Sequence, residues 1–107
     1  MGLQIEQSEQ DGTAVITIEG EVDLNTSPGL RAALLKAAAK GKGKSSLAVD
    51  LRGVRYMDSS GVATLIEGLK SVREKGGRFV LLAPSNSVMK VLQLSRLDTV
   101  FEICETL

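Results

Sequence analysis

The chain has 107 residues, 43% of them apolar and 24% charged, with thirteen basic and thirteen acidic side chains in balance. That length serves one hydrophobic core and leaves no room for a second domain of ordinary size, so residues 1–107 are read as one domain, and the balanced charge argues against nucleic acid or an anionic membrane as partner. There is no histidine, which removes the commonest general base, the Ser–His hydrolases and the histidine-containing zinc sites together; no metal or cofactor is expected.

Two strand-like runs, Leu3 to Ser8 and Thr13 to Gly20, flank Gln10-Asp11-Gly12, and an Asp-Gly pair there predicts an antiparallel hairpin. Asp23-Leu24-Asn25-Thr26-Ser27-Pro28 reads as a loop entering a helix, with Ser27 as its cap and Pro28 at the first helical position. That helix carries Leu30, Ala33, Leu34 and Ala37 on one face and is expected to stop at Gly41. Gly41-Lys42-Gly43-Lys44-Ser45-Ser46 has a superficial likeness to a phosphate-binding loop, but a Walker loop follows a strand and opens a helix, and this stretch does the reverse. It reads as a solvated turn.

Leu47 to Leu51 is a strand buried on both faces, from which Val54 to Met57 leads to Asp58. The next helix is the clearest in the chain, because Val62, Leu65, Ile66, Leu69 and Val72 form an apolar stripe that ends before Gly76-Gly77. Phe79 to Ala83 is a further buried strand; Val88, Val91 and Leu92 mark a shorter helix after Pro84; Val100 to Cys104 makes the last strand. Cys104, the single cysteine, is read as a small core residue, and with Tyr56, Phe79 and Phe101 as the only aromatics the core is expected to be aliphatic. No window is apolar for the length of a membrane span, and the opening residues lack the pattern of a signal peptide, so a cytoplasmic protein is expected. The order β-β-α-β-α-β-α-β places the fold in the α/β class, as a mixed sheet of about five strands with helices mainly on one face.

Chemistry concentrates between Val49 and Val62. There Asp58, Ser59, Ser60 and Gly61 stand where a buried strand hands over to an amphipathic helix. Free backbone N–H groups and the positive end of the helix dipole favour an anion at such a place, by about 0.3–1 kcal/mol for an exposed charge. The plain structural reading is that Asp58 or Ser59 caps the helix and Gly61 eases a tight entry.

Asp58-Ser59-Ser60-Gly61, preceded by Asp50-Leu51 and Val54-Arg55-Tyr56-Met57 and followed by an aliphatic helix, resembles the signature of STAS domains of the anti-sigma factor antagonist family. Glu19-Gly20-Glu21-Val22-Asp23 is similar to that family's Gly-Glu-Leu-Asp segment, and Gly76-Gly77 and Ser95-Arg96-Leu97 fall where the family has theirs. The resemblance implies that Ser59 is phosphorylated by an anti-sigma factor that is also a serine kinase, and dephosphorylated by a PP2C-type phosphatase. It implies a partner-binding face that includes Asp23, Leu24, Asn25, Asp58, Ser60 and Gly61, although Asp23 and Asn25 also suit a simple turn. Ser60 can equally be a helix-start hydroxyl with no separate role, Met57 is read as core, and Ser85, Asn86 and Ser87 are read chiefly as caps.

Two other readings compete. Gly61 to Leu69 also resembles the small STAS subunit of an Mla-like lipid-transport ABC complex, whose partner is a transport ATPase. An enzyme with Ser59 as nucleophile is disfavoured: Asp-Ser-Ser-Gly is not a nucleophile elbow, no histidine can activate the hydroxyl, and Lys70, Lys75 and Lys90 are placed facing solvent or at helix ends. Nothing beyond the discounted lysine-rich loop suggests a nucleotide.

Overall fold

The predicted hairpin forms around Asp11 and Gly12, whose φ angles of 51° and 81° are those of a two-residue primed turn. A computed structural model describes residues 2–40 and 46–107. The hairpin joins β1 (Leu3–Gln10) to β2 (Thr13–Val22) in antiparallel register, from Gln10 opposite Thr13 to Leu3 opposite Gly20. Helix α1 (Ser27–Lys40) then leads to β3 (Ser46–Met57), α2 (Ser59–Glu74) to β4 (Phe79–Leu82), and α3 (Asn86–Leu94) to β5 (Glu102–Cys104). Strands lie in the order β1-β2-β3-β4-β5, with β2 to β5 parallel. Each helix therefore begins beyond the C-terminal end of a parallel strand, and all three helix N-termini share one rim of the sheet.

Alternation along the strands sends two sets of side chains to opposite faces. Ile16, Ile18, Val49, Leu51 and Leu81 meet Leu30 and Leu34 of α1, Leu65 and Leu69 of α2, and Val88 and Leu92 of α3 in the main core. Burying each such side chain contributes about 1.5–3 kcal/mol. On the other face Val15, Ala48, Val80 and Leu82 form a smaller cluster. The fold is thus the α/β arrangement expected, with helices on one face.

Helix α2 lies very close to the sheet, and glycines make that possible. A Cβ on Gly61 would stand 2.6 Å from Met57 Cγ and 2.7 Å from Val22 Cγ1, and one on Gly68 would stand 3.0 Å from Phe79 Cε1. The stripe predicted from Val62, Leu65, Leu69 and Val72 is widened by these glycines and by buried Thr64, whose hydroxyl donates to the Ser60 carbonyl at 2.9 Å. Ile66, on the edge of the stripe, is half-buried.

Several boundaries differ from expectation. Val54 to Met57 is not a separate lead but the end of one long strand, because β2 continues alongside it through two register shifts, between Thr17 and Glu19 and between Gly20 and Glu21. Ser27 is not the cap of α1; it lies inside the helix, buried, and the Thr26 carbonyl accepts the first helical bonds from Gly29 and Leu30. Ala83 falls outside β4, with φ 43°, and β5 shrinks to three residues because Leu97 accepts from the Val100 N–H in a turn. Cys104 is half-buried against the smaller cluster and not in the main core. The lysine-rich stretch Gly41 to Ser45, with the expected helix stop at Gly41, lies outside the described residues. Among the described residues no helix is long and apolar enough to cross a membrane.

Candidate functional site

The start of α2 is built by Asp58. Its backbone is extended, and one carboxylate oxygen, Oδ1, accepts from the Ser60 N–H at 2.9 Å and from the Ser60 hydroxyl at 2.6 Å. The Asp58 carbonyl accepts from the Gly61 and Val62 N–H groups at 3.1 and 3.2 Å. Of the two capping candidates, then, Asp58 caps. The hydrogen bond from the Ser60 hydroxyl is the largest influence on the Asp58 carboxyl and lowers its pKa from the ordinary value; burial opposes it, and backbone N–H donors add to it.

Ser59 occupies the first helical position and is exposed, and its hydroxyl has no hydrogen-bond partner among the described residues. Ser60 is half-buried, with its hydroxyl engaged. The expectation of a row of free N–H groups is corrected here: Asp58 takes those of Ser60, Gly61 and Val62, so what the helix offers an anion on Ser59 is mainly its dipole. Gly61 is buried under Val22 and Met57 and offers no surface to a partner.

The second predicted segment is beside the first. Val22 lies in register with Met57, and the Val22 carbonyl accepts from the Asp58 N–H at 3.1 Å, so the chain that continues into Asp23 leaves the sheet next to Asp58. Asp23 folds its own turn: its Oδ1 accepts from the N–H groups of Asn25 and Thr26 at 2.9 and 3.1 Å, while its N–H donates to Thr26 Oγ1, which donates onward to the Glu21 carbonyl at 2.8 Å. That turn holds Leu24 outward, 77% exposed, with Asn25 exposed beside it. Leu24 is therefore no part of the core.

Sequence reasoning passed over Tyr56. Paired with Glu21 two residues before Asp58, it is 51% exposed while the other two aromatics, Phe79 and Phe101, are buried and pack ring to ring. The register shift at Gly20/Glu21 puts Tyr56 between inward-facing Val54 and Met57, which strict alternation does not foresee. Its one available signal was rarity: a polar-tipped aromatic next to the acid–serine segment of a chain nearly without aromatics.

On the same rim, Ser85 caps α3, accepting from the Val88 N–H at 3.3 Å, and its hydroxyl donates to the Val54 carbonyl at 2.6 Å. Asn86 and Ser87 are exposed beyond it. Of the lysines considered as bases, Lys75 donates to the Ala38 carbonyl at 2.9 Å, and Lys70 and Lys90 are exposed. Among the described residues no group of three or more metal-ligating side chains occurs.

The family described as "Mlab, STAS domain" matches residues 5–105. The anti-sigma-B factor antagonist of Listeria monocytogenes is 31% identical over 104 residues, covering 96% of this chain and 90% of that protein. Among solved structures, an anti-sigma factor antagonist from Mycobacterium paratuberculosis superposes with a TM-score of 0.87 at 25% identity, over 99% of this chain and 88% of that one. The Bacillus antagonist SpoIIAA in its unphosphorylated form gives a TM-score of 0.76 at 29% identity, over 95% and 87%, and its phosphorylated form gives 0.70 at 28%, over 95% and 90%.

Proposed function

This chain belongs to the STAS-domain family, and on that premise we propose that it is an anti-sigma factor antagonist whose binding is switched off by phosphorylation of Ser59. One observation carries the proposal: beside a helix cap supplied wholly by Asp58, the Ser59 hydroxyl is exposed and without a partner among the described residues. The unmodified chain binds an anti-sigma factor that is also a serine kinase and so frees a sigma factor. The kinase writes phosphate onto Ser59, the chain lets go, and a PP2C-type phosphatase restores it. Similarity to an antagonist solved in both phosphorylated and unphosphorylated forms, and with the same fold in each, supports a cycle that leaves the fold in place.

The switch is electrostatic. Phosphate adds about −1.5 to −2 charges at neutral pH. It arrives beside the ionised Asp58 and the Asp23 turn, where the α2 dipole offsets part of the internal repulsion. A partner that brings acidic groups against this rim has no such offset, so its affinity falls while the fold stays intact. This reading assigns the apolar contacts with the partner to exposed Leu24 and Tyr56, which are near Asp23, Asn25 and Asp58 along the chain.

The transport-subunit alternative is not favoured. Although the family's description carries the name Mlab, the relatives that match along nearly the whole chain are antagonists. Those relatives are regulatory binding proteins, and the binding role, not a reaction catalysed by Ser59, is the reading here. The test is affinity capture from the native host with wild type, Ser59→Ala and Ser59→Asp baits, with mass spectrometry of the Ser59 peptide. A kinase-like anti-sigma factor is expected on wild type and Ser59→Ala and is expected to be lost on Ser59→Asp, with phosphate on Ser59 of the host protein. A transport ATPase held equally by all three, with no phosphate, overturns the proposal.

A further inference from the structure

We infer that Asp58 acts as a specificity determinant: by holding the Ser60 hydroxyl it makes Ser59 the single phosphoacceptor of two adjacent serines. The inference rests on the phosphorylation reading above and extends it to the choice between the two hydroxyls.

The two serines are chemically the same and consecutive, so a kinase that grips the rim presents its ATP to both. The fold separates them. Ser59 is exposed, and its hydroxyl has no partner among the described residues; Ser60 is half-buried, and its hydroxyl donates to Asp58 Oδ1 at 2.6 Å, the oxygen that also takes the Ser60 N–H at 2.9 Å. Phosphoryl transfer requires a serine Oγ lone pair to attack the γ-phosphorus of ATP as the bond to ADP breaks, with the hydroxyl proton passing to a base of the kinase. For Ser60 that attack needs the hydroxyl to swing out of its bond to Asp58, and the product would place a dianionic phosphate on an oxygen lying against a carboxylate. The same hydrogen bond keeps the Asp58 carboxyl low, hence ionised at neutral pH, so the obstacle is a full negative charge. The Ser59 hydroxyl makes no such bond among the described residues, so a phosphate there lies near Asp58 but not on an oxygen held against its carboxylate. Asp58 is therefore a positioning residue toward phosphorylation as well as a helix cap, and the Thr64 hydroxyl, donating to the Ser60 carbonyl at 2.9 Å, helps fix the residue that it holds.

The test uses the full chain, ATP and the kinase recovered by the capture experiment, with the modified peptide read by mass spectrometry. Wild type is expected to carry its phosphate on Ser59, and Ser59→Ala to show only a background level on Ser60. Adding Asp58→Ala to Ser59→Ala is expected to raise phosphate on Ser60 at least tenfold, and Asp58→Asn, which keeps an oxygen to accept the hydroxyl, to hold it below the Asp58→Ala level. A folded Asp58→Ala/Ser59→Ala chain that still captures the kinase and stays unphosphorylated while wild type is modified overturns the inference. Carbon-detected titration of the Asp58 carboxyl gives a readout independent of the kinase and of that double variant. Its pKa is expected to rise in Ser60→Ala and to stay in place in Ser59→Ala; equal values in wild type and Ser60→Ala remove the hydrogen bond on which the inference stands. Absence of phosphate from wild type strikes the phosphorylation reading instead, and the titration then decides on the hydrogen bond alone.

Discussion

Two helix starts on the same rim, those of α2 and α3, use serine in opposite ways. At α3 the serine is the cap: Ser85 accepts from the Val88 N–H and donates to the Val54 carbonyl, so its hydroxyl is engaged on both sides and ties the helix to β3. At α2 the aspartate is the cap, its neighbour Ser60 is engaged with it, and Ser59 is left over. Serine at a helix start is therefore uninformative by itself. What leaves one unengaged is a second residue that performs the capping, and at α2 that residue is Asp58.

The comparison breaks most visibly if the α2 start is moved as a body. Gly61→Ala adds a methyl group 2.6 Å from Met57 Cγ and 2.7 Å from Val22 Cγ1, both on buried side chains. Alanine is favoured over glycine within a helix by about 1 kcal/mol, but overpacking of a fixed contact costs about 1–3 kcal/mol. The clash is the larger effect here because Val22 is β-branched and Met57 is met near its root. Urea denaturation is expected to show a net loss of stability; an unchanged or raised midpoint would mean that α2 can lift away from the sheet, and the tight seating claimed for it would go. Gly68→Ala, whose added methyl meets the end of the Phe79 ring at 3.0 Å, is expected to lose less.

Next come the two serines themselves. Ser85→Ala removes a cap and strands a carbonyl, and about 1–2 kcal/mol of stability is expected to be lost. Ser59→Ala touches no hydrogen bond among the described residues and is expected to stay within about 0.5 kcal/mol of wild type. Chemical denaturation of the pair measures the contrast directly. Equal losses would make both serines structural and take away the reason for singling out Ser59.

Much of this was legible in the chain. The Asp11-Gly12 turn, the stripe of α2 and the strand–helix order follow from turn chemistry and periodicity, which are local. The acid–serine pattern located the site, and β2–β3 pairing at Val22 and Met57 explains why a segment some thirty-five residues earlier, at Asp23, lies beside it. What escaped depends on contacts between elements. Ser27 looked like a cap, but the Asp23 turn brings Thr26 into that position. Tyr56 was hidden by a register shift set by the neighbouring strand, and the choice between Asp58 and Ser59 as cap turns on a backbone conformation and a carboxylate rotamer that periodicity does not encode.

The smallest expected effect is also the most specific to α2. The Ser60 hydroxyl and N–H favour the charged form of Asp58, so its pKa is lower in the folded chain than in the unfolded one, where an aspartate titrates at about 3.9. A group with a depressed folded pKa contributes stability that is fully present above the unfolded value and is lost as pH falls through the folded one. The stability difference between wild type and Asp58→Asn is therefore expected to be constant from neutral pH down to about pH 5 and to shrink below about pH 4. Because Asp58 lies near the surface, solvent screening keeps the difference small, and paired urea titrations at several pH values are needed to resolve it. Ser60→Ala is expected to flatten the same profile, since it removes the largest cause of the shift, whereas Ser85→Ala leaves it unaltered because the α3 start has no titrating cap. A profile unchanged by Ser60→Ala would place the acid sensitivity elsewhere and return the two helix starts to equivalence.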